Sequence, residues 1–367
     1  AKRVYDELGA WARMEDGALS KALLNLHGTP VAAEDLDEAR RLFAQALDVP
    51  GGLKIQTIHS FCESLLSRFP IEAGIAPHFR VMDERTAAEL LQNAREAVYW
   101  RASTAKDKAK DKPLAKALER ITAHVAEGTF TDVLDALFRD RGKFRRGLSR
   151  HGGADGMALV TTAHLGLAPG EDVGTVLDAA ACEDAFDGAG LRKVVTVLLE
   201  GGKTDAARGE RLATWLAEPD RRLADFEAYL GAFFTKDGVG PRAKKLATVA
   251  TVKLCPDALD ILEAEADRLE AVRDRRNAAL LAAATQALLQ FASALLEAFE
   301  GLKQKAALLD YDDLIFEARN LLEREGIAPW VLFKLDGGID HILVDEAQDT
   351  NPDQWRVIAM LASEFFA

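Results

Sequence analysis

The sequence predicts a mostly helical α/β chain in which a strand-bearing body is interrupted by a large all-α insertion. Three observations point there. Alanine and leucine dominate, and aromatic residues make up only 7% of the chain, a composition that favours helices. From residue 85 to about 305, segments of helical period follow one another, punctuated by Gly128, Gly152-Gly153, Gly201-Gly202 and Gly238. Short apolar runs that end in polar residues stand outside that stretch, at 53–57 and 342–344. A buried parallel strand reads this way.

Residues 1 to about 48 read as helices and close on the turn signal Val49-Pro50-Gly51-Gly52. The strand expected at 53–57 leads into a helix from Ser60 to Phe69, which Pro70 ends. Ser60 is the expected cap, with Glu63 completing a capping box. Within the insertion, Leu223, Phe226, Leu230 and Phe233 fit one helical face. After Pro256 the helical pattern runs from Asp257 to about Lys303, as one very long helix or two joined at a kink. Leu281, Leu288, Leu295 and Leu302 recur there every seventh residue, with Ala284, Phe291 and Ala298 between them. That pattern suits a coiled-coil dimer or a helix buried in its own domain, and the alanines favour burial. A helix from Tyr311 to Glu325, a loop at 334–340, the strand at 342–344 and a helix at 351–362 carrying Trp355, Ile358 and Met360 complete the chain.

The net charge of -13 excludes a wholly basic nucleic-acid coat but leaves room for a local basic groove. Cys62, Cys182 and Cys255 are far apart and form no C-x-x-C pair, so zinc, iron–sulfur and disulfide frameworks lack support, and a reducing compartment is expected. No signal peptide and no apolar run of membrane-spanning length stand out. The chain starts at Ala1 within a helical pattern and stops at Phe365-Phe366-Ala367, which reads as a piece of a longer protein.

The chemistry concentrates in His341-Ile342-Leu343-Val344-Asp345-Glu346-Ala347-Gln348-Asp349-Thr350-Asn351. Open α/β sheets place their ligands where a strand ends. Two adjacent acids there suit magnesium–nucleotide chemistry: one carboxylate holds the metal shell, and the other positions or deprotonates the attacking water. A second signal is Ile55-Gln56-Thr57-Ile58-His59-Ser60-Phe61-Cys62. A Thr and a His two apart at a helix start, with the free N–H groups there, suit phosphate holding or base stacking. The third is Leu309-Asp310-Tyr311-Asp312-Asp313-Leu314-Ile315, whose acids also suit a helix N-terminus.

These three stretches carry a resemblance. The spacing D-E-x-x-Q-D resembles the Walker B element, motif II, of superfamily 1 helicases of the UvrD, PcrA and Rep type. Thr57 to Cys62 resembles their motif Ib, T-x-H-S-[FM]-C, and Phe79-Arg80-Val81-Met82-Asp83-Glu84 looks like the same family. Leu309 to Ile315 resembles motif Id, [LM]-D-[FY]-D-D-L-[IL]. The resemblance implies a partial RecA-like P-loop NTPase domain, 1A, made of 1–84 (the motif Ib region) and 306–367 (motifs Id and II). Helical domain 1B, at 85–305, interrupts it and carries no motif of its own. The phrase from Thr57 to Glu84 is most similar to the AddA branch, the helicase-nuclease subunits of bacterial AddAB complexes; RecB-like and plain UvrD-like parents are the nearest competitors.

By that resemblance Asp345 helps bind Mg²⁺, Glu346 is the catalytic base, Gln348 senses the γ-phosphate and couples it to DNA, and Asp349 supports the ATP site. Thr57, His59 and Ser60 contact single-stranded DNA. Tyr311 is a nucleic-acid contact or a packing residue. ATP is the implied substrate, and DNA, as single strand and duplex junction, the implied partner. The implied setting is 3′–5′ translocation in double-strand-break repair and recombination, in the bacterial cytoplasm, away from membranes, beside an AddB-type subunit.

Some features depart from this pattern. No G-x-x-x-x-G-K-[ST] loop is present; Gly202-Lys203-Thr204 ends like one, but Val197 stands where the first Gly belongs, and it reads as a loop decoy. The resemblance therefore implies a phosphate loop upstream of Ala1, motif III beyond Ala367, and no tight ATP binding by this piece alone. Six Lys/Arg and one Asp lie between Arg139 and Arg150, with Lys143, Arg145 and Arg146 around Phe144. They suit a duplex contact or a solvated helix end. The run Lys106, Lys108, Lys110, Lys112 reads as a solvated loop. The competing functional reading is a DNA-binding or partner-docking helical module that kept the fold without catalysis.

Overall fold

The computed structural model describes residues 2–49, 52–104, 111–123, 125–236, 238–336 and 342–362. The helical bias of the composition is realised: 74% of the described residues are helical. Among the described residues the sheet is a single parallel pair, β1 (Arg80–Val81) beside β2 (Leu308–Leu309), in register Arg80 to Leu308 and Val81 to Leu309. Arg80 N–H donates to Ala307 O and Met82 N–H to Leu309 O, both at 2.9 Å. A parallel pair needs a crossover connection, and here the crossover contains nearly all of the helical insertion.

The chain divides into two units, Ala1–Ala87 with Lys303–Ala367, and Ala88–Leu302. In the first, helices Lys2–Trp11, Asp16–His27 and Ala33–Asp48 bury Trp11, Leu19, Leu23 and Ala39 together. Tyr5 Oη accepts the Leu53 N–H at 3.3 Å and ties the following segment to them. A second core forms where helices Ile58–Arg68, Ala328–Asp336 and Pro352–Ala362 pack on helix Tyr311–Glu323. Cys62, Leu66, Leu314, Ala318, Val331 and Val357 are buried there. Burial pushes the Cys62 thiol up to about 12, so it serves as a small apolar core residue rather than a nucleophile.

In the second unit, Leu198, Leu212, Trp215, Tyr229 and Leu262 share one core, with the Trp215 and Tyr229 rings stacked at 3.8 Å. The pattern after Pro256 folds as one unbroken helix, Ala258–Lys305, of 48 residues. Of its heptad leucines, Leu295 is fully buried and Leu281 is 55% exposed, so the seam is not a uniform dimer stripe. Phe291 instead packs within its own unit, with ring centroids 5.2 Å from both Tyr99 and Phe130. One 18-residue window of this helix has a mean hydropathy of 1.6, which makes it long and apolar enough to cross a membrane by length and composition. This corrects the expectation that no such run exists, although a core helix has the same composition.

Several local expectations are corrected. The strands expected at 53–57 and 342–344 are irregular, with Ile55 56% and Leu343 96% exposed; the only sheet among the described residues, β1–β2, lies elsewhere and gives these runs no ladder. Residues 334–336, expected in a loop, finish helix Ala328–Asp336, which Val331 anchors in the core; 337–340 lie outside the described residues. Helix Phe226–Leu230 is short, and Leu223 is exposed, off the buried face of Phe226, Leu230 and Phe233. Gly202-Lys203-Thr204, by contrast, sits as a phosphate-loop decoy should: Gly202 caps helix Lys203–Ala217, and the element before it is helix Gly188–Leu199 rather than a strand. Residues 1, 50–51, 105–110, 341 and 363–367, among them Pro50-Gly51, Lys106, Lys108, Lys110, His341 and Phe365-Phe366-Ala367, also lie outside the described residues.

Candidate functional site

Two helix starts meet in the first unit. Thr57, in extended conformation, caps helix Ile58–Arg68: its Oγ1 accepts the Ser60 N–H at 3.2 Å. The cap therefore sits three residues before the expected Ser60, because the chain turns helical at Ile58 and Thr57 is the last extended residue. Ser60 Oγ in turn accepts from Thr57 Oγ1 at 3.1 Å. The first turn presents His59, half-buried, and Ser60, exposed.

Asp310 caps helix Tyr311–Glu323. Asp313 N–H donates to Asp310 Oδ1 at 2.9 Å, and Asp310 N–H donates to Asp313 Oδ2 at 3.0 Å, a reciprocal capping box. Tyr311 is the first residue of this helix and is 56% exposed. Its ring stands edge-on to His59, with centroids 5.5 Å apart and planes at 80°. The structure thus joins two residues that are far apart in the chain into one aromatic corner, and the packing and binding readings of Tyr311 meet there. Two helix N-termini flank the corner; the Ile58–Arg68 start has no acid in its first turn and its partial positive charge favours phosphate, whereas Asp310, Asp312 and Asp313 already occupy the other.

The acidic turn precedes helix Pro352–Ala362. Asn351 caps that helix through its Oδ1 to Gln354 N–H at 2.9 Å, and Gln354 answers at 3.0 Å. The helix is held to Tyr311–Glu323 by Arg319 to Asp353 at 2.8 Å and by Arg356 to Glu323 at 2.9 Å. The acidic turn and the aromatic corner are therefore both built on the Tyr311–Glu323 helix. Within the turn, Asp345, Glu346, Gln348 and Asp349 are all exposed. Glu346 has φ +50°, left-handed for a residue with a Cβ, a conformation that costs roughly 1–2 kcal/mol. Its N–H donates to Asp345 Oδ1 at 3.0 Å, its carbonyl accepts the Asp349 N–H at 2.9 Å, and its carboxylate accepts from Gln348 Nε2. Gln348 thus fixes the direction of the Glu346 carboxylate.

The other basic candidates are engaged by the fold. In helix Arg141–His151, Lys143 pairs with Asp140 at 3.1 Å and Arg145 pairs with Glu300 of the long helix. Arg146 is partnered as well. A contribution that spacing did not reveal is Lys303. Only 2% exposed, it places Nζ 2.6 Å from Asp313 and 3.1 Å from Asp310. The available signal was the pair of acids Asp310 and Asp313, which needs a cation if both are buried.

One substitution separates capping from binding at Thr57. Thr57→Ala is expected to lower stability by about 1 kcal/mol through the lost cap, whereas Thr57→Ser keeps the cap. Equal loss of single-strand affinity in both variants, with stability lost only in the alanine, would show contact with the strand; unchanged affinity in both would leave Thr57 a cap alone.

Comparison with known proteins adds a family. The model described as UvrD/REP helicase N-terminal domain matches residues 18–366. The chain is also similar to the ATP-dependent DNA helicase PcrA of Staphylococcus aureus strains COL and MW2, 46% identical in each over 57 residues. That stretch is 16% of this chain and 7% of the helicase.

Proposed function

The chain belongs to the UvrD/REP helicase N-terminal domain family, and we propose that it is the strand-holding and water-activating part of an ATP-dependent DNA helicase. The observation that carries this reading is the pair of features built on helix Tyr311–Glu323: an aromatic corner between two helix N-termini, and an exposed acidic turn whose Glu carboxylate is aimed by Gln348. In this reading an unpaired base stacks at Tyr311 and His59 while the nearby N–H groups of the capped helix start hold its phosphate. Glu346 takes a proton from the water that attacks the terminal phosphate. Gln348, bonded to Glu346, aligns the base and couples it to the nucleotide, and Asp349 supports the turn through its N–H.

The donor set fits Mg²⁺: Asp345 offers an exposed carboxylate, and its Oδ1 accepts one backbone N–H. Asp345 would hold the ion, directly or through water, and the ion would neutralise charge on the phosphates. Domain 1A would comprise 1–84 and 306–367, and domain 1B 85–305. The finer reading is an AddA-type subunit, moving 3′–5′ beside an AddB-type partner in break repair; the phrase from Thr57 to Glu84 supports it. Lys143 remains the duplex candidate whose partner, Asp140, is itself exposed.

One observation favours a non-motor role: these 367 residues hold no G-x-x-x-x-G-K-[ST] run. The test uses the intact protein. Single-strand-stimulated ATPase with unwinding of 3′-tailed duplexes is expected, and exonuclease activity in addition if it is AddA-type. An ATPase indifferent to DNA, or none, would return the chain to a docking role.

A further inference from the structure

Lys303 sits in the last turn of the Ala258–Lys305 helix and is 2% exposed. Its ammonium bridges Asp310 and Asp313, themselves 4% and 3% exposed. Asp313 Oδ2 accepts at once from Lys303 Nζ and from Asp310 N–H, so the ammonium shares an oxygen with the capping box that starts the next helix. Two carboxylates this close repel, and a cation between them offsets that repulsion while both keep their backbone partners. The residue whose backbone this box fixes is Tyr311, exposed and touching His59.

We propose that Lys303 is a positioning residue for single-stranded DNA: by holding the Asp310–Asp313 box closed it sets the Tyr311 ring against His59 at the angle that receives a base. The proposal rests on the helicase reading above. Lys303 does not touch the strand; it acts through Tyr311. Removing its charge leaves two buried carboxylates facing each other, the first turn loosens, and the ring loses its fixed direction.

The experiment measures, in the intact protein, the concentration of oligo-dT that half-saturates the ATPase for wild type, Lys303→Met, Lys303→Arg, Tyr311→Ala and the Lys303→Met/Tyr311→Ala double variant. Stacking of one base on an aromatic ring sets the scale. Lys303→Met is expected to raise the half-saturating concentration about tenfold while turnover at saturating oligo-dT and the KM for ATP hold. Lys303→Arg restores much of the affinity. In the Tyr311→Ala background Lys303→Met adds nothing, because the two act as one unit. Should Lys303→Met fail to fold, Lys303→Gln, which keeps a hydrogen-bond donor while removing the charge, is read the same way. An unchanged half-saturating concentration, or the same added loss with and without Tyr311, overturns the proposal while the helicase reading stands. A wild-type ATPase indifferent to oligo-dT overturns that reading itself, and this assignment with it.

Discussion

Glu346→Gln in the intact protein is expected to cut DNA-stimulated ATP turnover by about a hundredfold or more, near 3 kcal/mol of barrier, while ATP still binds. The substitution is nearly isosteric. It keeps the left-handed backbone at φ +50°, the N–H to Asp345 Oδ1 and the carbonyl that closes the turn on Asp349. The glutamine amide still offers Gln348 Nε2 an oxygen, so the side chain keeps its direction. What is lost is the ability to take a proton from water as the phosphate is attacked. A group that acts only in the transition state lowers turnover without weakening the ground-state complex. ATP affinity, read from a fluorescent analogue, should therefore stay within a fewfold of wild type while steady-state phosphate release collapses. Turnover unchanged in the variant would remove Glu346 from the chemistry.

The same turn shows what the sequence could and could not say. That Asp345, Glu346, Gln348 and Asp349 share one exposed turn is legible because it depends on spacing within the turn, and spacing is local. The apolar residues before them predict a buried strand, but burial depends on neighbours the pattern does not contain. Leu343 stands almost fully exposed because no ladder lies beside it among the described residues. Conversely β1 and β2 are two residues each, too short for any period, and their pairing is set by the return of a distant segment. Capping was legible to within one turn: Thr57 and Ser60 are both good caps, and the onset of helical backbone at Ile58 decides between them. The contact of His59 with Tyr311 and the burial of Lys303 are tertiary facts. A lysine in the last turn of a helix reads as solvated, or as complementing the dipole, until both of its carboxylate partners are found.

The long helix was the most legible element, and its burial supports the second large expectation. Phe291→Ala is expected to lower unfolding free energy by about 3–5 kcal/mol and to leave the oligomeric state unchanged. Phe291 is fully buried, and its ring meets Tyr99 at 5.2 Å and Phe130 at 5.2 Å, so truncation opens a cavity lined by two rigid aromatics that cannot collapse onto a methyl. Were the heptad seam a dimer interface, Leu281 would do more: at 55% exposed it is the heptad leucine that a partner helix would cover. Leu281→Lys would then break a dimer, whereas Phe291→Ala would act mainly within one chain. Denaturant unfolding of both variants beside light scattering separates these cases. A large loss for Phe291→Ala, with Leu281→Lys near neutral and mass unchanged, fits a helix buried in its own unit. A stability that depends on protein concentration and falls with Leu281→Lys would instead make this helix a coiled-coil contact, because the free energy of an obligate dimer scales with the concentration of its chains.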